Sequence, residues 1–302
     1  MKAVVLNEYG GPDKLKYEDV PDPVPGNGEV LVRMTATSVN PIDYKMRSGA
    51  VKDYFPLDLP AILGRDVSGI VRDVGSGVSG FNPGDKVIAL GTKTYAELTV
   101  VTAKDLALVP EKLDLVNAGA LPLVVLTGEQ LITRGTKIQS GQTVLVTGAV
   151  GNVGRSAVWT AKKTGATVIA GVKKSQLKEA EDLGADQLLA LDDRAAVDKL
   201  GFIDAIADTV NGETAQRLLA KVKQGGVFAS VLGPPANAKL HPTVQIEPIQ
   251  VKPDAAMLRS LAEDVAAGRF EIPIDRMVPL ADAAAAHAAA EKGGIGKILL
   301  LE

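Results

Sequence analysis

A chain of 302 residues is long enough for two domains with separate cores, and 46% apolar residues with 31 glycines fit an α/β protein. A net charge of −3 without a basic tract argues against nucleic acid as a partner, and zero cysteines exclude disulfides, thiolate metal sites and a cysteine nucleophile. The opening residues, Met1 to Tyr9, lack the apolar core of a secretion signal and no apolar run is long enough to span a membrane, so a cytoplasmic location is expected.

Up to about residue 112 the chain reads as β. Short, often β-branched runs at Val4–Leu6, Glu29–Met34, Ser68–Val74 and Lys86–Leu90 are separated by turn clusters such as Pro21–Gly28 and Phe81–Asp85. This punctuation suggests a partly open β-barrel more than a parallel sheet. Near Pro110 the texture changes. Apolar strands at Val144–Val146, Val168–Ala170, Ala205–Ala207 and Val227–Val231 alternate with helices at Arg155–Thr164, Gln176–Leu183 and Glu213–Lys221, which implies a parallel sheet covered on both faces. Val244–Ile246 and Ile249–Val251 read as edge strands. Helices are expected from Pro253 to Gly268 and from Ala281 to Lys292, the second capped by Asp282, and Lys297–Leu301 is a closing strand.

The apolar run before Gly148 ends in Gly148-Ala149-Val150-Gly151-Asn152-Val153-Gly154, and a helical segment follows. Glycine lets the backbone turn tightly and approach a ligand, and the helix N-terminus offers unpaired N–H groups to a pyrophosphate. A second strand, Ala166–Gly171, begins about 20 residues after the turn, which is βαβ spacing for a dinucleotide site. The alternative is a purely structural glycine turn. After the second strand, an acid would hold the ribose of NAD, whereas cations would hold the extra phosphate of NADP. The chain reads Gly171-Val172-Lys173-Lys174-Ser175-Gln176, with no carboxylate before Glu179, and so favours NADPH over a merely solvated lysine loop. Asp193, following Leu191-Asp192, would repel that phosphate unless it points away or the lysines dominate. His241 and His287 lack the spacing of a metal-ligand pair and are expected at the surface or in packing.

Further pieces carry a resemblance: Ser38–Gly49, containing Asn40-Pro41-Ile42-Asp43-Tyr44-Lys45, then Leu63–Val71, Val78–Val87, Leu121–Gly128, the glycine turn, Leu183–Asp186, Ala207–Gly212 and Gly296–Leu299. In this order they resemble the medium-chain dehydrogenase/reductase superfamily, in its zinc-free quinone oxidoreductase and enone reductase branch. The resemblance implies a GroES-like, partly open β-barrel domain built from residues 1–112 and 254–302. A Rossmann domain with a doubly wound parallel sheet, residues 113–253, would split it. Zinc-dependent members carry Gly-His-Glu and two cysteines; here the motif reads Gly64-Arg65-Asp66, so no metal is expected.

The activity so implied is NADPH-dependent hydride transfer to quinones or to the C=C bond of α,β-unsaturated carbonyls. Donors aimed at the carbonyl oxygen would stabilise the developing enolate, and the α-carbon would take a proton. The resemblance puts Asn40 at the nicotinamide end of the cleft, Thr127 on the nicotinamide or its ribose (or else as a helix cap), and Lys45 in the site. Tyr44 is offset by one position from the tyrosine of many simple quinone reductases. Val210, Leu232 and Gly233 would make backbone contacts at the carboxyl ends of later strands. The resemblance also implies a homodimer joined through edge strands. Two other readings remain open: a non-enzymatic NADPH-binding regulator or crystallin-like protein, and a relative acting on carrier-bound substrates.

Overall fold

The computed structural model describes residues 1–294 and 296–302, and the chain divides into two compact units, Met1–Leu123 with Pro253–Glu302, and Val124–Lys252. The first unit begins with β1 (Lys2–Leu6), β2 (Leu15–Asp19), β3 (Glu29–Ser38), α1 (Pro41–Ser48), β4 (Ala61–Ile62), β5 (Asp66–Val74), β6 (Lys86–Leu90), β7 (Leu98–Thr102) and β8 (Leu106–Leu108). Its organising element is β3. Along one edge, Glu29–Arg33 pair with β7; along the other, Val30–Ala36 pair with β5 through two register shifts. Such shifts bend a strand and raise its twist, the geometry a barrel wall requires. Val30, Val32 and Met34 alternate along the strand into a core shared with Val67, Val71, Val87 and Ala89. The expected break after residue 112 falls later, after Leu123, because α2 (Leu115–Ala118) packs on β3 and β5.

α3 (Pro122–Gln130) leads into the second unit, which contains β9 (Thr143–Thr147), α4 (Asn152–Lys163), β10 (Thr167–Val172), α5 (Leu177–Ala180), β11 (Gln187–Ala190), α6 (Arg194–Lys199), β12 (Ile203–Asp208), α7 (Gly212–Leu219), β13 (Val222–Ser230) and β14 (Gln245–Pro248). All six strands run parallel in the order β11-β10-β9-β12-β13-β14. That is the doubly wound Rossmann order, with its switch point between β9 and β12. The period of two along each strand separates the core into two layers. Val144, Val146, Val168, Ala170 and Ala207 face Ala157, Val158 and Ala161 of α4. Leu145, Ile169, Ile206 and Phe228 face Val197 of α6 and Leu218 and Leu219 of α7. The helix expected at Gln176–Leu183 is only the short α5 between two 3₁₀ turns. Of the two expected edge strands only β14 forms, and Ile249–Val251 lies outside any strand.

The chain then returns to the first unit through α8 (Ala255–Ala266), β15 (Ile274–Pro279), α9 (Ala283–Ala290) and β16 (Lys297–Leu301). β16 pairs antiparallel with Ala36–Ser38 of β3, and β15 pairs parallel with β16. Asp282 makes no side-chain cap on α9. That helix is held instead by Ala283 and Ala286, whose small side chains join the barrel core.

Candidate functional site

Apart from Thr127 in α3 and Gly171 in β10, the second unit places its candidate residues past the carboxyl ends of its strands. Gly148 follows β9 with φ +63°, a left-handed conformation that glycine adopts without strain. The turn closes with the Gly151 N–H donating to the Gly148 carbonyl at 2.9 Å. A Cβ on Gly154 would lie 2.2 Å from that same carbonyl oxygen and 2.7 Å from the Ala149 Cα, so no side chain fits there. α4 starts at Asn152 with Gly151 as its N-cap, and no side chain caps its first turn. A bare helix N-terminus behind a glycine turn suits a pyrophosphate, so Gly148 to Val153 fit a dinucleotide. Gly171 lies within β10. Val210 follows β12 and Leu232-Gly233 follow β13, with Val210 45% and Leu232 40% exposed.

One buried carboxylate holds these strand ends together. Asp208, fully buried at the end of β12, accepts from Thr147 Oγ1 at 2.9 Å and from Ser230 Oγ at 2.8 Å. It also accepts from the backbone N–H groups of Val210 at 3.3 Å and Asn211 at 3.2 Å. Thr147 Oγ1 in turn accepts from the Thr209 N–H at 2.9 Å, and Ser230 Oγ from the Leu232 N–H at 3.1 Å. The loops after β9, β12 and β13 therefore share one anchor. Sequence reasoning missed it, although Asp208 stands inside the motif Ala207–Gly212.

Beyond β10, Lys173, Lys174 and Ser175 are exposed around a 3₁₀ turn, Lys174–Gln176. Asp193, the acid that argued against a phosphate here, and its neighbour Asp192 both accept from backbone N–H groups. Asp192 accepts from the Lys174 N–H at 2.7 Å, and Asp193 caps α6 by accepting from the Ala196 N–H at 3.1 Å. Thr127 is nearly buried inside α3, so the alternative of a helix cap does not hold.

In the first unit, α1 is fixed by charged residues on its buried face. Asp43 and Arg47, one turn apart, are 1% and 2% exposed. Asp43 Oδ2 accepts from the Asn40 N–H at 2.8 Å and from the Tyr95 hydroxyl at 3.0 Å, while Oδ1 is buried without a partner. Arg47 donates to the Gly10 carbonyl at 3.0 Å and to Glu291 at 2.7 Å, and stands 3.4 Å from His287 Nδ1. His287 Nε2 lies 3.2 Å from the Tyr95 hydroxyl, their rings edge to face. Burial pushes the Asp43 carboxyl up to about 6, while burial and then the Arg47 charge push the His287 imidazole down to about 3. Tyr44 packs half-buried on the barrel core, which raises its hydroxyl pKa, and Lys45 is half-exposed.

Asn40 is not arranged as a cofactor ligand. Its side chain is fully buried: Oδ1 accepts from Lys297 Nζ at 2.6 Å, and Nδ2 donates to Asp66 at 2.8 Å and to the Ser38 carbonyl at 3.3 Å. Asp66 also takes the Ser38 hydroxyl, the Leu123 N–H at 2.6 Å and Lys297 Nζ at 3.3 Å. Burial pushes the Lys297 ammonium below its ordinary value, and Asp66 opposes that shift. With four protein donors on its carboxylate, Asp66 is spent as a counter-ion for Lys297 and does not suit a metal. Among the described residues no three His, Asp or Glu side chains group as a metal site.

Comparisons with known proteins bear on both units. A family profile described as the alcohol dehydrogenase GroES-like domain matches residues 26–111, and one described as zinc-binding dehydrogenase matches residues 183–300. The chain is 32% identical to the chloroplast envelope quinone oxidoreductase homolog of Arabidopsis thaliana, over 99% of this chain and 98% of that protein. It is 32% identical to the NADPH-dependent alkenal/one oxidoreductase of the same plant, over 77% of this chain and 63% of that protein. The solved quinone oxidoreductase of Escherichia coli complexed with NADPH superposes with a TM-score of 0.88 at 26% identity, covering 100% of both chains.

Proposed function

Because the chain belongs to the medium-chain dehydrogenase/reductase superfamily, in its quinone oxidoreductase branch, we propose that it reduces quinones or the C=C bond of α,β-unsaturated carbonyls with NADPH and without a metal. The observation that carries this reading is the uncapped N-terminus of α4 behind a closed glycine turn, with Lys173 and Lys174 exposed past the neighbouring strand. Bound NADPH supplies hydride from nicotinamide C4. The first-turn N–H groups of α4 hold the pyrophosphate, and Lys173, Lys174 and Ser175 hold the 2′-phosphate. Asp208 keeps the loops bearing Val210 and Leu232 in place beside the cofactor. Thr127 contacts the nicotinamide ribose.

At the acceptor, Lys45 donates to the carbonyl oxygen as charge develops there. Its support is the Asn40-Pro41-Ile42-Asp43-Tyr44-Lys45 motif and the clamping of α1 by Asp43 and Arg47, which leaves Lys45 off the buried face. Tyr44 packs beside it and steadies the helix. With Asp66 saturated by its own chain's donors, the acceptor must already be electrophilic, as quinones and enones are. A cytoplasmic location and a homodimer joined through the exposed edge of β14 complete the proposal. Light scattering that finds a monomer at micromolar concentration removes the dimer.

The direct test follows NADPH oxidation against a panel of small quinones and enones, beside NADPH and NADH titrations of wild type and of Lys173→Ala/Lys174→Ala. We expect turnover with NADPH. The double variant should lose about tenfold to a hundredfold in NADPH affinity, from charge-assisted hydrogen bonds of roughly 1.5–3 kcal/mol each near the low end of that range. NADH binding should hold, and the loss should shrink in high salt. Cofactor binding without turnover across the panel would sink the enzymatic reading, and equal loss of both cofactors would sink the phosphate assignment.

A further inference from the structure

Two stretches of the chain read Asn-Gly-Glu, at Asn27–Glu29 and at Asn211–Glu213. An asparagine before glycine is open to attack on its own side chain, because no Cβ on the next residue shields that residue's backbone nitrogen. The two sites share this local chemistry, and the fold treats them differently.

At Asn27 the nitrogen is held away from the side chain. The turn from Gly26 to Glu29 is closed by the Glu29 N–H donating to the Gly26 carbonyl at 3.2 Å, and the Gly28 N–H donates to the Ser76 carbonyl at 2.8 Å. At Asn211 the Gly212 N–H donates to Asn211 Oδ1 at 2.7 Å, so the amide carbon lies one bond beyond the oxygen that this nitrogen faces. Asn211 Nδ2 donates to the Leu232 carbonyl at 3.2 Å, which fixes the way the amide points. The backbone is set as well. Asn211 has φ 58° and ψ −158°, a left-handed combination that is close to glycine-only. Closing a five-membered ring from the Gly212 nitrogen onto Asn211 Cγ requires that nitrogen to eclipse Cβ, which for an L-residue falls at ψ of about −120°. Asn211 stands about 40° from that value, whereas strands at about +115 to +135° and helices at about −42° stand much further off. Gly212 is exposed, so hydroxide reaches its N–H.

We propose that Asn211 is a deamidation site of the folded protein. Hydroxide takes the Gly212 amide proton and the nitrogen attacks Asn211 Cγ. The N–Cγ bond forms as the Cγ–Nδ2 bond breaks, and ammonia leaves with a proton from water. Water then opens the succinimide at either carbonyl, leaving aspartate or isoaspartate at 211, with no oxidation or reduction. The fold raises the rate by holding the two groups in a near-attack arrangement. The product loses the Nδ2 donor to the Leu232 carbonyl, and it falls on the loop that Asp208 anchors through the Asn211 N–H. This chemistry does not depend on the hydride-transfer reading.

The test is peptide mapping by mass spectrometry of the whole protein aged in mildly alkaline buffer, folded and in urea, against an unaged control. Trypsin releases the sites on separate peptides, Leu200–Arg217 and Tyr17–Arg33, each with one asparagine. In the folded protein Asn211 should convert at least about tenfold faster than Asn27, a barrier lower by about 1.4 kcal/mol, with isoaspartate among its products. In urea the two rates should come together. Conversion of Asn27 as fast as Asn211 in the folded protein, an unconverted Asn211, or a gap that urea leaves intact overturns the proposal. Aspartate alone at 211 overturns it too, since direct hydrolysis of the side chain makes no isoaspartate. NADPH turnover plays no part in these readouts.

Discussion

Replacing Asp208 should cost both stability and cofactor binding, by amounts the geometry sets. In Asp208→Ala the hydroxyls of Thr147 and Ser230, 0% and 1% exposed, lose their acceptor and cannot reach water. The N–H groups of Val210 and Asn211 lie nearer the surface and can be rehydrated. Two stranded buried donors at about 1–3 kcal/mol each predict a loss of roughly 2–6 kcal/mol. Asp208→Asn is milder. Its oxygen can keep the three donors on the Thr147 side, while its amide nitrogen faces Ser230 Oγ, which is already bonded by the Leu232 N–H. The loss of charge and of one acceptor should cost about 1–2 kcal/mol. The chain's single tryptophan, Trp159, sits in α4 of this same unit, so its fluorescence in urea reports this unit's unfolding. Because the loops after β9, β12 and β13 hang on this carboxylate, Asp208→Asn should also weaken NADPH several-fold while remaining folded in the absence of urea. An unchanged urea midpoint in Asp208→Ala, or full NADPH affinity in Asp208→Asn, would refute the anchoring argument.

Other perturbations have equally definite outcomes. Gly154→Ala puts a Cβ 2.2 Å from the Gly148 carbonyl oxygen, so it should abolish detectable NADPH binding and lower the urea midpoint; normal titration by this variant would show that the turn is not needed. Lys297→Met removes the ammonium beside Asp66 and leaves a carboxylate that is 0% exposed without its counter-ion. The loss should be about 3–5 kcal/mol by calorimetry, and a stabilised variant would contradict it. The pH dependence carries two opposed signs. Asp43 gives up its proton near 3.8 when unfolded and near about 6 when folded, so its contribution falls as pH rises through that window. His287 takes up its proton near 6.5 when unfolded but only near about 3 when folded, so its contribution falls as pH drops through that window. Between about 3.8 and 6 the two oppose each other. Asp43→Asn should therefore expose an acid sensitivity that wild type masks, with a slope of up to about 1.4 kcal/mol per pH unit by calorimetry; parallel profiles for the two proteins would refute it.

Much of the second unit was legible in the residues themselves. Its strands are apolar runs whose alternation survives folding, and the glycine turn is a local necessity, since Gly148 needs a left-handed backbone and Gly154 has no room for a Cβ. The expected strands at Val144–Val146, Val168–Ala170 and Ala205–Ala207 fall inside β9, β10 and β12, and the one at Val227–Val231 overruns β13 by one residue. No strand is expected from the short runs that form β7, β8, β11 and β15, although Leu98 and Val101 of β7, Leu106 of β8 and Leu189 of β11 are buried. Charge patterns misled where their meaning depends on a cap. Asp193 looked like an obstacle to a phosphate, yet it is turned onto the Ala196 N–H.

The ionic core of the first unit could not be read from sequence at all. Asn40 looked like a ligand and His287 could have been a surface residue, because nothing near either position shows its partners. Asn40 meets Lys297 across 257 residues, and Arg47 meets His287 across 240. Local sequence determines what each short segment can do, which here meant the strand runs, the helix starts and a turn that admits a phosphate. Only the tertiary structure decides which polar side chains are taken out of water together, because burial makes a charge depend on whichever distant group the fold brings within hydrogen-bond reach.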